Sequence, residues 1–177
     1  MIETLLINQD DIKIYAPTAE LDGARIDPFI LETQENNLKQ VLNDAFYYDF
    51  MLRINSTTDP LYSAYQSLLN GNTYTVNARV ISFPGIKPMI VYYALARFAR
   101  NNPVHITRFG VVTKTVQQSE PVQAAVLNGY INEKNSVGLN YQNQVVKFLQ
   151  YNPTIYPLYN TGGGTLAQSI SFKMFKL

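Results

Sequence analysis

Apolar residues recur along this chain at two spacings, and the change between them divides it into elements. From Asp27-Pro28, Ile30, Gln34, Leu38, Val41, Leu42 and Ala45 follow at three- and four-residue steps, with Glu32, Glu35, Asn36 and Lys39 between them. That is an amphipathic helix, with Asp27 as its cap and Pro28 at its first position, continuing towards Leu52. Asn55 to Pro60 ends it. A short helix over Leu61 to Leu69 follows and stops at Asn70-Gly71. The period then drops to two. Tyr74, Val76, Ala78 and Val80 alternate with Thr75, Asn77 and Arg79, and the apolar phase shifts at Ile81 and Phe83. This predicts one strand with a bulge. Pro84-Gly85 breaks it.

A second helix signal begins at Ile86. Ile90, Val91, Ala94, Leu95 and Phe98 make it the most apolar helix, closing at Asn101-Asn102-Pro103. His105 to Thr115 has strand composition. Ser119, followed by Glu120 and Pro121, is placed to cap the longest helix, whose stripe is Val122, Val126, Tyr130, Val137, Tyr141, Val145 and Leu149. Gly129 and Gly138 interrupt that stripe and mark close packing or a kink. Residues 1–24 read as an extended arm with turns. The pattern predicts a mainly α protein with a short strand or small sheet, one helical domain over 1–160 and a tail over 161–177 hinged at Gly162-Gly163-Gly164.

Charge changes this picture. The first 59 residues hold eleven acids against four bases, whereas residues 60–119 hold six bases and no acid. With a formal net charge of +1, an acidic part faces a basic part. Such a chain either neutralises itself or pairs its acidic face with a neighbour's basic face in a head-to-tail assembly. Charged residues are only 15% of the chain, against roughly 25% in ordinary domains, and amides and tyrosine supply the polarity instead. Tyrosine suits surfaces buried between partners, and half-buried core edges equally.

The chain is poor in chemistry. With no cysteine, disulfides and thiolate metal sites are excluded. The single histidine, His105, has no second histidine or nearby carboxylate to make a metal or general-base set and reads as a loop or half-buried residue. Asp10-Asp11 is either a cation site or, far more often for adjacent acids, solvated surface. The triple glycine is no phosphate loop, since no Gly-Lys-Ser/Thr follows. Arg97, Arg100, Arg108 and Lys114 are too dispersed for a nucleic-acid domain. No signal peptide is read at the N-terminus, and the most apolar window, Met89 to Ala99, is far short of the ~20 residues a membrane span requires. No cofactor, metal or catalytic residue is expected.

Beyond the glycines, Ile170, Phe172 and Met174 alternate with Ser169, Ser171 and Lys173, until Phe175 and Leu177 break the alternation. An apolar strand on such a hinge either folds back beside the Tyr74 to Phe83 strand or adds to a neighbouring subunit. Arg97, Arg100 and Arg108, with Ile170, Phe172, Met174 and Phe175, are therefore the candidate subunit or partner interface.

Several motifs carry a resemblance. Ile12-Lys13-Ile14-Tyr15-Ala16-Pro17 comes first. Asp27-Pro28-Phe29-Ile30 then opens a helix ending Leu42-Asn43-Asp44-Ala45-Phe46-Tyr47. Arg108-Phe109-Gly110-Val111-Val112, Ser119-Glu120-Pro121 before a long helix, and Asn152-Pro153-Thr154-Ile155-Tyr156-Pro157 complete the set. In order and pattern, over residues 10 to 160, the chain resembles head–tail connector (adaptor) proteins of tailed phages of Bacteroidetes hosts, crAss-like phages included. The resemblance implies a helical-bundle connector core with a small β-hairpin or short sheet and extended N- and C-terminal arms. It implies a homo-oligomeric, commonly dodecameric, ring in the virion neck, formed from subunits made in the host cytoplasm. The ring would contact the portal protein and adjacent neck or tail proteins and let genomic DNA pass, without enzymatic activity or membrane contact.

Overall fold

The computed structural model describes residues 4–17, 23–101, 104–107, 110–113 and 124–161. It is mainly helical. Helices α1 (Gln9–Tyr15) and α2 (Gly23–Thr33) are followed by a π-helical segment (Gln34–Leu38), α3 (Lys39–Leu42), α4 (Asp44–Arg53) and α5 (Tyr62–Asn70). Strands β1 (Asn72–Val76) and β2 (Arg79–Phe83) form a hairpin ahead of α6 (Lys87–Asn101). A second hairpin, β3 (Val104–Thr107) and β4 (Gly110–Thr113), precedes the 28-residue α7 (Ala124–Tyr151) and α8 (Pro157–Thr161).

The helix expected from Asp27 starts a turn earlier, at Gly23, and takes Pro28 inside it. Of its stripe, Ile30, Gln34, Leu38 and Leu42 are buried, whereas Val41 is half-buried and Ala45 exposed; Ile26, ahead of the stripe, is buried too. The helix does not continue to Leu52. Asn43 adopts φ 64°, ψ 162°, and its side-chain oxygen accepts the Phe46 N–H at 3.0 Å, so a polar residue in mid-pattern ends one helix and caps the next.

The expected single bulged strand is instead a two-stranded hairpin. Its register pairs Asn72 with Phe83, Tyr74 with Ile81 and Val76 with Arg79. Asn77 and Ala78 both have positive φ (49° and 61°), the backbone of a tight primed turn. The phase shift in the sequence was the chain reversing. At the hairpin base, Gly71 (φ 104°) and Gly85 (φ 87°) cross so closely that a Cβ on Gly85 would lie 2.6 Å from the Gly71 nitrogen. Only glycine permits both that backbone and that approach.

The extended N-terminal arm is corrected over its described part. Residues 9–15 are helical, begun by a capping box in which Asn8 accepts the Asp10 and Asp11 N–H groups and Asp11 accepts the Asn8 N–H. Leu6, Ile7 and Ile12 are buried in the common core. Their apolar side chains are removed from water only if this segment lies on the body.

Helix α6 packs along α7 and against α2, and buries Met89, Ile90, Val91, Ala94 and Leu95. Around its end sits an aromatic cluster. Phe46 meets Tyr65 and Tyr156, each at 5.9 Å, and Phe83 stacks on Phe148 at 4.1 Å. These rings tie α4, α5, α7 and β2 into one core. Of the two glycines in α7, Gly138 is the close-packing one: a Cβ there would lie 3.0 Å from the Tyr93 ring, whereas nothing stands within 4 Å of Gly129. The cap expected at Ser119 lies outside the described residues.

Candidate interaction surface

Polar side chains in the body are spent on holding elements together. Arg53 grips both oxygens of Asp49 through Nε (2.8 and 2.9 Å) and both oxygens of Asp59 through one terminal nitrogen (3.0 and 2.8 Å). Asp49 also accepts the Tyr65 hydroxyl at 2.5 Å, and Asp59 accepts the Leu61 N–H at the start of α5. Burial, reinforced by the Asp49 carboxylate, pushes the Tyr65 phenol well above its ordinary range. Tyr47, buried and bonded to Glu35, and Tyr156, buried against the Ala64 carbonyl, are raised as well. Phenols held neutral in this way serve as structural donors, to Asp49, Glu35 and the Ala64 carbonyl. Among the described residues no three His, Asp or Glu side chains converge as a metal site would need. No helix among them is long and apolar enough to cross a membrane.

The adjacent acids Asp10-Asp11 belong to this structural set. Asp11 caps α1 and accepts the Lys87 ammonium at 2.8 Å, while Asp10 points outward beside Lys13. Lys87–Asp11 and Arg97–Glu32 (2.6 Å) are contacts between the acid-free segment and the acidic one, made within a single chain. Arg97 also donates to Asn37 at 2.8 Å. Of the arginines expected at an interface, Arg97 is thus engaged in its own subunit and Arg100 is exposed at the end of α6. Arg108, Ile170, Phe172, Met174 and Phe175 lie outside the described residues, as does the side chain of His105, whose backbone pairs with Val112.

What remains for recognition is apolar and exposed. Among the described residues, aromatic contacts anchor the β1–β2 hairpin near its base. There Tyr74 stands edge-on to Phe148 at 5.4 Å, and Phe83, on the same face, stacks on that ring at 4.1 Å. Residues directly opposite in a hairpin share a face, so Ile81 and Arg79 lie on the α7 side with Tyr74 and Val76. Val80 is 72% and Ile81 37% exposed, and Val76, Asn77, Arg79, Val80 and Ile81 line a shallow groove. A second exposed strip runs along α7. The sequence stripe there is buried at Val145 and Leu149, but Val126 and Tyr130 stand in solvent, as does Leu139. Helical periodicity found the apolar stripe of α7 without showing how much of it is covered. Sequence reasoning missed the hairpin tip as a surface because it took these residues for one continuous strand.

Comparison with known proteins adds one result. Residues 35–166 match the model of a family described as a family of unknown function, DUF6712. That span is most of the chain, and the chain belongs to this family. No curated protein and no solved structure matches it.

Proposed function

We propose that this DUF6712 chain is a structural subunit of a phage virion neck, a head–tail connector that forms a ring between portal and tail and lets the genome pass. The observation that carries this reading is the β1–β2 hairpin, a projection anchored near its base whose apolar residues Val80 and Ile81 are exposed towards the tip. An exposed apolar projection on a polar body is a docking element. The order of connector-like motifs along the sequence supplies the kind of assembly. The described polar network supports a non-enzymatic role, since its donors and acceptors bind one another. Another neck or tail-completion protein would use the same features and differ only in the layer it occupies.

The test is the native mass of the purified protein over concentration and salt, alone and with the portal protein of the same phage, with negative-stain images of large species. Closed rings, free or on the portal, are expected. A strict monomer that does not bind the portal overturns the reading.

That outcome would favour a second reading, a monomeric protein-interaction module. One observation speaks for it: Lys87–Asp11 and Arg97–Glu32 close part of the segregated charge within the chain, leaving less for a neighbour.

A further inference from the structure

We propose that the tip of the β1–β2 hairpin of one copy docks on the outward face of α4 in a second copy, with Ile81 seated between Tyr48 and Leu52 and Arg79 against Asp44. The inference deepens the ring reading by naming a subunit contact, and rests on it. Both surfaces belong to described elements. On α4, Asp44, Tyr48 and Leu52 recur every four residues and so share one face. Tyr48 is 49% and Leu52 70% exposed, and the Asp44 carboxylate stands in solvent beside them. The opposite face of the same helix buries Phe46, Tyr47, Phe50 and Met51. A lone apolar residue in water is ordinary, but a tyrosine and a leucine one turn apart form a strip. Its border is acidic: Glu35 and Asp44 share a single ammonium, that of Lys39, each at 3.9 Å. The hairpin tip carries the complement. Arg79 and Ile81 are exposed on one face of β2. No acid lies between residues 60 and 119 to neutralise Arg79 locally, and it forms no ion pair among the described residues.

Spacing and position select a second copy as the occupant. Two residues along a strand advance about 6.7 Å, and four along a helix about 6 Å. With Arg79 on Asp44, Ile81 therefore falls beside Tyr48, on the side towards Leu52. A chain's own hairpin cannot make this contact. Phe46 of α4 meets Tyr156, which meets Phe148, the ring on which Phe83 at the hairpin base is stacked. The hairpin is thus rooted on the core side of α4. Tyr48 and Leu52, each two residues beyond Phe46 and Phe50, lie about 200° round the helix from them, on the opposite side. A projection on one side of a subunit and its receptor on another make a heterologous contact. Repeated by rotation, such a contact closes a ring or runs on as a filament.

The test is a charge swap between two batches of the full chain, Arg79→Glu and Asp44→Arg, with native mass and negative stain as readouts. Each variant alone should self-associate about tenfold more weakly, since like charges then meet at every contact. An equal mixture should recover the wild-type mass, because each mixed contact again pairs opposite charges. Circular dichroism establishes that both batches are folded. A second pair guards against a helix weakened by arginine at its start. The chain has no cysteine, so Ile81→Cys and Leu52→Cys proteins, mixed and oxidised, should give the mixed disulfide severalfold over either homodisulfide. Self-association that neither reversal weakens, or a mixture that gives no recovery and no mixed disulfide, overturns the proposal. Rings that persist in that case leave the connector reading standing. Recovery and mixed disulfide in open filaments, without rings or portal binding, uphold this contact and remove the connector reading.

Discussion

The side-chain amide of Gln34 is bonded to the backbone around Leu6: its oxygen accepts the Leu6 N–H at 2.8 Å while its nitrogen donates to the Thr4 carbonyl at 3.1 Å. Gln34 opens the π-helical segment, where the Lys39 N–H reaches back five residues to the Gln34 carbonyl. The extra residue in that turn shifts the side-chain phase, and the amide is buried among Ile26, Ile30 and Leu38 in the same core. A residue that helical periodicity marks as a polar fault in an apolar stripe is the clamp for the N-terminal segment.

Replacing Gln34 with Leu keeps the bulk and removes both bonds, leaving the buried Leu6 N–H without a partner. The expected loss is about 2 kcal/mol. It should appear as a lower urea midpoint and as faster hydrogen exchange at Leu6 than in the α6 core. An unchanged Leu6 exchange rate would show that the N-terminal segment is held by its apolar contacts alone.

One residue earlier, the Thr33 hydroxyl is buried with no hydrogen-bond partner. Valine has nearly the same shape and no polar atom to desolvate. Thr33→Val should therefore stabilise the fold, by about 1 kcal/mol, read as a rise in thermal midpoint. A fall would mean that the hydroxyl is bonded in solution.

The two glycines of α7 should respond with opposite signs. Gly129→Ala meets open space and removes a helix-weakening residue, for a gain of about 0.5–1 kcal/mol. Gly138→Ala meets the Tyr93 ring, which cannot swing freely because its hydroxyl donates to Gln142 at 2.8 Å. Overpacking should cancel the propensity gain and cost about 1 kcal/mol net. Paired denaturation curves decide it, and equal shifts would refute the packing role of Gly138.

Alkaline stability follows from the raised phenols. Tyr65, Tyr47 and Tyr156 keep their protons in the folded state at pH values where the unfolded chain has lost them. The folded protein then binds more protons than the unfolded one, so stability is full below about pH 10 and falls above it. Tyr65→Phe should lower stability at pH 7 by about 1–2 kcal/mol, through loss of the bond to Asp49, and should flatten the decline above pH 10. Thermal midpoints from pH 8 to 11.5 check both halves. A slope unchanged from wild type would remove Tyr65 from the alkaline transition.

The sequence by itself determined the helical class, the buried stripe of α2 to α3 at Ile30, Leu38 and Leu42, the apolar α6, and the breaks at Gly71, Pro84-Gly85 and Asn152-Pro153. Those features rest on local physics: a 3.6-residue period, a residue able to take positive φ, a proline without an N–H. It also showed the split of acid from base, though not that Lys87 and Arg97 would find Asp11 and Glu32 in their own chain. Only the tertiary structure decided what depends on residues far apart in sequence. Asn43 was an ordinary polar position until its side chain capped α4. Gln34 was a blemish until Leu6 came to lie against it, twenty-eight residues away. Tyr74 to Phe83 read as one bulged strand and is a hairpin with Val80 and Ile81 exposed, because period-two alternation reports that one face is apolar and is silent on whether anything covers it. The same holds for Val126 and Tyr130, apolar by pattern and exposed in the fold.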